Sequence, residues 1–242
     1  MLTANKHIII SFSIIFIIIL IAIFMNQQET PEINNNKINE ENNSYYIDLP
    51  PIETKGNMFL EEAILQRRSV REYKDQPVSL EKVSQILWAA QGITDETRGF
   101  RTSPSAGALY PLFVYIAVGN VENLEPNVYR YLPEEDKLLF IRQGDIRQEL
   151  YENALYQDSI RQAAFVIIIA ADYSITAKKY GQPTEKYVHM EAGHSGQNIY
   201  LQSTALNLGT VAIGAFDGQA VKKISGLKNN ETALYLMPVG PK

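Results

Sequence analysis

An uncharged run from Ile8 to Met25, IIISFSIIFIIILIAIFM, constrains this chain more than any other feature. At about 1.5 Å of rise per residue, a helix over that run comes close to the hydrocarbon thickness of a bilayer. Only Ser11 and Ser13 interrupt it, so the segment lacks the polar face of a helix that packs on a water-facing domain. The run predicts a single-pass transmembrane helix over residues 8–25 behind a short tail over residues 1–7. A secretory signal peptide is the rival reading, but the usual small-residue cleavage pattern is missing around Ile23, Phe24 and Met25. Lys6 precedes the run, and Glu29, Glu32, Glu40 and Glu41 follow it. By the positive-inside tendency this predicts a membrane protein with its catalytic domain outside the cytoplasm, although one lysine leaves the orientation open.

Residues 26–45 are rich in Asn, Glu and Gln, including NNNKINEENN, and hold too little apolar surface to repay ordering. They predict a disordered tether. A single globular domain is expected over residues 46–242, a length able to bury a substantial core. The net charge of -5 provides no concentrated basic face for nucleic acid. With no cysteine in the chain, thiolate catalysis, disulfides and Cys-ligated metal centres are excluded, so redox chemistry needs a bound cofactor.

Within the domain, MFLEEAILQRRS spaces Phe59, Ala63, Ile64 and Leu65 as a helix that delivers Arg67 and Arg68 at its C-terminal end. LEKVSQILWAA, from Leu80 to Ala90, is a second helix with Val83, Ile86, Leu87 and Ala90 on one face and Ser79 as N-cap. LFVYIAVG reads as a strand, and NVYRYLPEEDKLLFIRQG as a hairpin turning at Pro133–Asp136. DIRQELYENALY has the pattern of one amphipathic helix. AAFVIIIAAD is a β-branched run of the kind found in strands buried on both faces. Tyr187–Leu208 predicts a long helix closed by Gly209, and TVAIGAF and ALYLMPVG two final strands. Helices and strands intermix without a repeat, which gives an α+β class.

Three segments could carry chemistry. Arg67-Arg68-Ser69-Val70-Arg71 sets three guanidiniums and a hydroxyl within five residues, able to clamp a phosphate through charge-assisted forks and leave one Arg for an electron-rich ring. A solvated basic patch is the plainer reading. In Ser103–Pro111, SPSAGALYP, small residues let a backbone lie close to a flat ligand, or simply form a turn. Lys178-Lys179-Tyr180-Gly181 precedes HMEAGH, in which His189 and His194 are five apart. On a helix they diverge by roughly 140°, against the spacing that zinc needs. No GxGxxG follows a strand and no GxxxxGK[ST] is present, so neither a Rossmann site nor a P-loop is supported.

RRSVR, PSAGALYP, the helix EAGHSGQNIYLQSTALNLGT, AIGAFD and a terminal PVG, in this order over residues 58–242, resemble the nitroreductase superfamily. PSAGALYP and the KYG…MEAGH pairing are most similar to its SagB-type dehydrogenases, which oxidise azolines in peptides bearing thiazoles and oxazoles. The resemblance implies a central, mainly antiparallel sheet flanked by helices, and a homodimer with two FMN sites lined by both subunits. It implies that Arg67, Arg68 and Ser69 hold the phosphate and ribityl chain and that Arg71 approaches the pyrimidine edge. Ser105, Ala106 and Gly107 are expected from the other subunit. Ile213, Gly214 and Ala215 are expected to present amides near flavin N5, and Lys179 and Tyr180 to lie beside the substrate as catalytic residues. A lysine base suits removal of a C–H proton as hydride leaves, though a solvated Lys-rich loop is the alternative. AIGAFD lacks the acidic residue often seen in simpler nitroreductases. The expected activity is exchange of hydride with a small or peptide-derived substrate. The alternatives are an NAD(P)H-dependent nitro or quinone reductase, or a non-catalytic flavin- or partner-binding module.

Overall fold

The computed structural model of the protein describes residues 36–39 and 44–242. Among these residues no helix is long and apolar enough to cross a membrane. The expected membrane localisation with an extracytoplasmic catalytic domain is therefore not upheld. The segment over 8–25 on which it rested, and the tail over 1–7, lie outside the described residues.

The compact unit spans Asn36–Lys242. It begins earlier than the boundary at residue 46, because strand β1 (Asn36–Asn39) pairs antiparallel with β2 (Ser44–Asp48), matching Asn36 to Ile47 and Asn39 to Ser44. A polar segment can join a sheet edge since the ladder asks for backbone partners rather than apolar side chains.

An eight-stranded sheet runs in the order β1-β2-β7-β6-β5-β8-β10-β9, every neighbouring pair antiparallel. Its centre is β5 (Leu112–Val118), β8 (Phe165–Ala171) and β10 (Thr232–Pro241). Beside β5 lies the hairpin of β6 (Asn127–Leu132) and β7 (Lys137–Gln143), and at the far edge β9 (Leu208–Thr210). A small ribbon, β3 (Ile93–Asp95) with β4 (Phe100–Arg101), stands apart.

The period-2 alternation of strands builds two cores. On one face Val114, Ile116, Ile167 and Ile169 meet Val83, Ile86, Leu87 and Ala90 of helix α2 (Leu80–Gln91). Beside α2, Val188, Ala192 and Ile199 belong to the long helix α6 (Thr184–Ala205). On the other face Tyr115, Ala117, Val166, Ile168 and Ala170 meet Leu150 of α3 (Arg147–Glu152), Ile160 of α4 (Asp158–Gln162) and Val221 of α7 (Gly218–Ser225). Every residue of β8 is buried, as the β-branched run predicts. The remaining helices are α1 (Leu60–Gln66), which ends just before Arg67, and α5 (Tyr173–Tyr180).

Three local expectations change. Ser79 sits at the N-cap of α2 but its hydroxyl makes no capping bond. The helix expected over DIRQELYENALY is cut to Arg147–Glu152 and ends before Leu155 and Tyr156, which both take left-handed backbone, at φ 54° and 56°. Gly209 does not close α6, which ends at Ala205 with Asn207 left-handed. Gly209 lies in β9, where a Cβ would come within 2.6 Å of Val70 Cγ1, so glycine here lets the RRSVR segment lie against the sheet edge.

Candidate active site

Two clusters of the expected site residues form, both attached to α6. The first gathers around the end of α1. Arg67 occupies the C-cap position, its amide donating to Ala63 O, so its side chain projects as the chain turns extended. Arg68 turns back, its Nη1 donating to the carbonyls of Leu65 and Arg67, and so neutralises orphan acceptors at the helix end. Ser69 bridges to Thr210, and the Val70 amide donates to Thr210 O at 2.9 Å, which straps the segment to β9. Tyr73 continues the strap. Its hydroxyl donates to Val70 O and Pro238 O, and burial pushes the phenol well above its ordinary pKa.

Charge distinguishes this cluster. Arg98, Arg101, Arg130, Arg142, Arg147 and Arg161 each pair with a carboxylate. Among the described residues, Arg67, Arg68 and Arg71 have none. A solvated patch on a chain of net charge -5 has acidic groups to spare. Three guanidiniums within five residues are thereby left able to pair with an anion such as phosphate.

Tyr200 of α6 ties this cluster to the segment after β9. Its phenol oxygen lies 2.9 Å from Ser69 Oγ and accepts the Ala212 amide at 2.8 Å. The Arg67 guanidinium covers its ring at 5.1 Å from the centroid. The next residues are the expected N5 amides, and the structure separates them. Ile213 is buried and exchanges both backbone bonds with Leu236 at 2.9 Å, so its amide is committed. Gly214 and Ala215 are exposed and their amides have no partner among the described residues. Ala215 O accepts from Gln157 Nε2 at 3.3 Å, and Gln157 shares with Arg71 a cleft of about 540 Å³ that Tyr73 and Ser159 also line. Tyr200 thus links Arg67 and Ser69 to Ala212, and Gln157 links Ala215 to the cleft that Arg71 lines.

The second cluster lies at the other end of α6. Ser105 leads a tight turn in which Gly107, Ala108 and Tyr110 all have positive φ. The Ala106 amide donates to Glu191 Oε1 at 2.9 Å, and the Tyr110 amide to Ser105 Oγ at 2.9 Å. Glu191 is only 4% exposed. Burial pushes its carboxyl above the usual range, opposed by the bonds from Ala106 and Ser105 and by His194. Lys179 and Tyr180 end α5 and come directly to this turn: a Cβ on Gly107 would stand 2.6 Å from Lys179 Nζ and 2.8 Å from the Tyr180 hydroxyl. The Tyr180 ring packs edge-on against Tyr187 at 5.1 Å. His189 points elsewhere, its Nε2 2.7 Å from the Tyr173 hydroxyl.

Tyr200 and Glu191 are site residues that the expected set lacks, although both sit inside the helix motifs HMEAGH and EAGHSGQNIYLQSTALNLGT. Glu191 had one signal, a carboxylate surrounded by small residues on a helix with few charges. Tyr200 had none beyond its place in the motif.

A mainly antiparallel sheet flanked by helices is the frame that carries the arginine cluster and the exposed Gly214 and Ala215. The Nitroreductase family model matches residues 64–241. The chain belongs to the nitroreductase family and is an oxidoreductase of that type. MJ1384 of Methanocaldococcus jannaschii, which carries a nitroreductase description, is 48% identical over 196 residues, covering 81% of this chain and 96% of that one. A solved structure from Ralstonia eutropha JMP134, also described as a nitroreductase, matches with TM-score 0.72 at 28% identity, covering 81% of this chain and 89% of that chain. The Escherichia coli microcin synthetase McbBCD complex, solved with truncated pro-MccB17 bound, matches with TM-score 0.63 over 80% of this chain and 76% of that one. At 23% identity that likeness is one of fold.

Proposed function

We propose that the chain is an FMN-dependent dehydrogenase that exchanges hydride with a small or peptide-derived substrate and acts as a homodimer. The observation that carries it is the carboxylate-free Arg67–Arg71 cluster, tied through Tyr200 to the segment that exposes the Gly214 and Ala215 amides. The donor set fits FMN: guanidiniums of Arg67 and Arg68 and the Ser69 hydroxyl for the phosphate and ribityl chain, Arg71 for the pyrimidine edge, and amide donors near N5. Bound there, the flavin supplies two-electron, hydride-accepting chemistry.

Geometry supports a second copy. Glu191 and Tyr200, the anchors of the two clusters, are nine positions apart on α6. On a helix this is about 13.5 Å and about two and a half turns, which sets them on opposite faces. One chain therefore does not fold its Ser105–Gly107 turn and Lys179–Tyr180 pair around its own arginine cluster, whereas a partner can bring them. Phe59, Leu60, Ile64 and Leu65 of α1 and Met190 of α6 are at least half exposed, an apolar surface suited to that partner. Lys179 Nζ, as the neutral amine, then takes the substrate proton and becomes the ammonium, the Tyr180 hydroxyl lies beside it, and the Gly107 turn holds both in place.

The similarity of PSAGALYP and the KYG…MEAGH pairing to SagB-type dehydrogenases supports a peptide-derived substrate. The nitroreductase description of the M. jannaschii relative favours a second reading, reduction of nitro compounds or quinones at the expense of NAD(P)H. Purified full-length chain is expected to take up FMN and show its visible absorbance, and a colourless protein that binds no added FMN overturns the proposal. Steady NAD(P)H consumption with nitro or quinone acceptors, without oxidation of azoline peptides, selects the second reading.

A further inference from the structure

We propose that Tyr200 is a positioning residue that locks the phosphate end of the site to its amide end, so that the two move as one unit. The inference rests on the flavin reading for its purpose, but the coupling itself is a property of the chain. The two ends come from distant sequence and are strapped together at Thr210 of β9, to which the Val70 amide donates; the Tyr200 hydroxyl, 131 residues from Ser69, adds a side-chain link beyond that strap. Arg67 to Arg71 run extended between α1 and the rest of the domain, and Ala212 to Ala215 follow a strand that stops at Thr210.

A phenol hydroxyl has one proton and two acceptor positions. Here one acceptor position takes the Ala212 amide at 2.8 Å, and the remaining capacity serves Ser69 Oγ at 2.9 Å. One oxygen atom therefore touches both segments, and the Arg67 guanidinium lies over the same ring. Ala212 immediately precedes Ile213, whose pairing with Leu236 fixes the other side of the segment. Gly214 and Ala215 follow directly after these two fixings and are exposed. Without the hydroxyl, Ile213 still holds one side, but nothing on Tyr200 joins the phosphate hydroxyl of Ser69 to the amide segment.

A tyrosine that merely fills space gives a different expectation, since phenylalanine fills it equally. The experiment compares full-length wild type, Tyr200→Phe and Arg67→Ala by hydrogen exchange without flavin, and by FMN titration with absorbance and fluorescence. In Tyr200→Phe, peptides spanning 69–71 and 211–215 are expected to exchange together about tenfold faster, with α2 and β8 peptides unchanged. Bound FMN is expected to dissociate roughly tenfold more readily, with a shifted visible band that reports its altered polar surroundings. Arg67→Ala is expected to weaken FMN binding without moving the band. If the variant exchanges like wild type in these peptides, or only one segment responds, the coupling is overturned. Loss of thermal stability with no change in the band or in either segment's exchange also overturns it, leaving Tyr200 as packing. Coupled exchange in a chain that takes up no FMN upholds the coupling and overturns the flavin reading instead.

Discussion

Gly107 and Lys179 are close neighbours: the space that a Cβ on Gly107 needs is taken by Lys179 Nζ, which would stand 2.6 Å from it. Gly107 is also left-handed, at φ 62°. Any side chain there meets two obstacles, the backbone cost of the conformation and the displacement of the candidate base.

Gly107→Ala is therefore expected to fold, since the obstructing atoms are ends of flexible side chains that can swing aside. The left-handed alanine should cost about 1–2 kcal/mol of stability, read by denaturant unfolding. Turnover should fall much further than FMN affinity, because Lys179 Nζ and the Tyr180 hydroxyl lose their seat. A variant with wild-type turnover would detach this turn from catalysis.

Arg67→Ala and Lys179→Ala should separate binding from chemistry. Removing a guanidinium from the phosphate cluster is expected to weaken FMN retention by roughly tenfold or more, the range of a lost charge-assisted hydrogen bond. Lys179→Ala should leave FMN affinity near wild type and reduce turnover. Fluorescence titration and steady-state rates check both. Equal loss of flavin in the two variants would sink the assignment.

Glu191 gives a pH-dependent expectation. Its folded-state pKa is raised by burial. The folded chain therefore holds the proton more tightly than the unfolded chain, and the associated stability is full below the unfolded carboxyl value and lost as pH rises through the raised folded value. Glu191→Gln cannot ionise. Its melting temperature relative to wild type should improve as pH rises from 4 to 8, and a difference that stays flat or runs the other way contradicts the buried carboxyl.

Gly209→Ala should loosen the strap that carries the arginines. A Cβ there meets Val70 Cγ1 at 2.6 Å and Val70 Cβ at 2.7 Å, and the latter cannot swing away. Overpacking of this kind costs about 1–3 kcal/mol. Val70→Ala in the same chain should recover most of the stability and flavin affinity. A double-mutant cycle with no coupling between the two positions would show that the strap accommodates the methyl group elsewhere.

What was readable in the sequence was what is set locally. The β8 run announces a strand buried on both faces because its β-branched residues follow one another without a polar break. The β6–β7 hairpin is marked by its Pro133–Asp136 turn. The division between α3 and α4 carried no such mark, since Leu155 and Tyr156 take left-handed backbone without the Gly or Asn that normally announces it. Gly209 looked like a helix cap because its reason for being glycine, Val70, lies far off in sequence. Long-range pairing decided the site in the same way. Ile213 belongs to the right motif, yet its amide goes to Leu236, and only the fold reveals that. Arg68 is divided likewise, since part of its guanidinium closes the end of α1.

The placement of the two clusters on opposite faces of α6 has a consequence in genetics. Where each site is assembled from two copies, an allele that lacks Arg67 impairs flavin binding, and one that lacks Lys179 impairs turnover, in every site it forms alone. Co-expressed, they form mixed pairs in which one composite site has lost both groups and the other has kept both. The two impaired alleles would then complement each other, with at most about a quarter of the sites intact under random pairing of equal amounts.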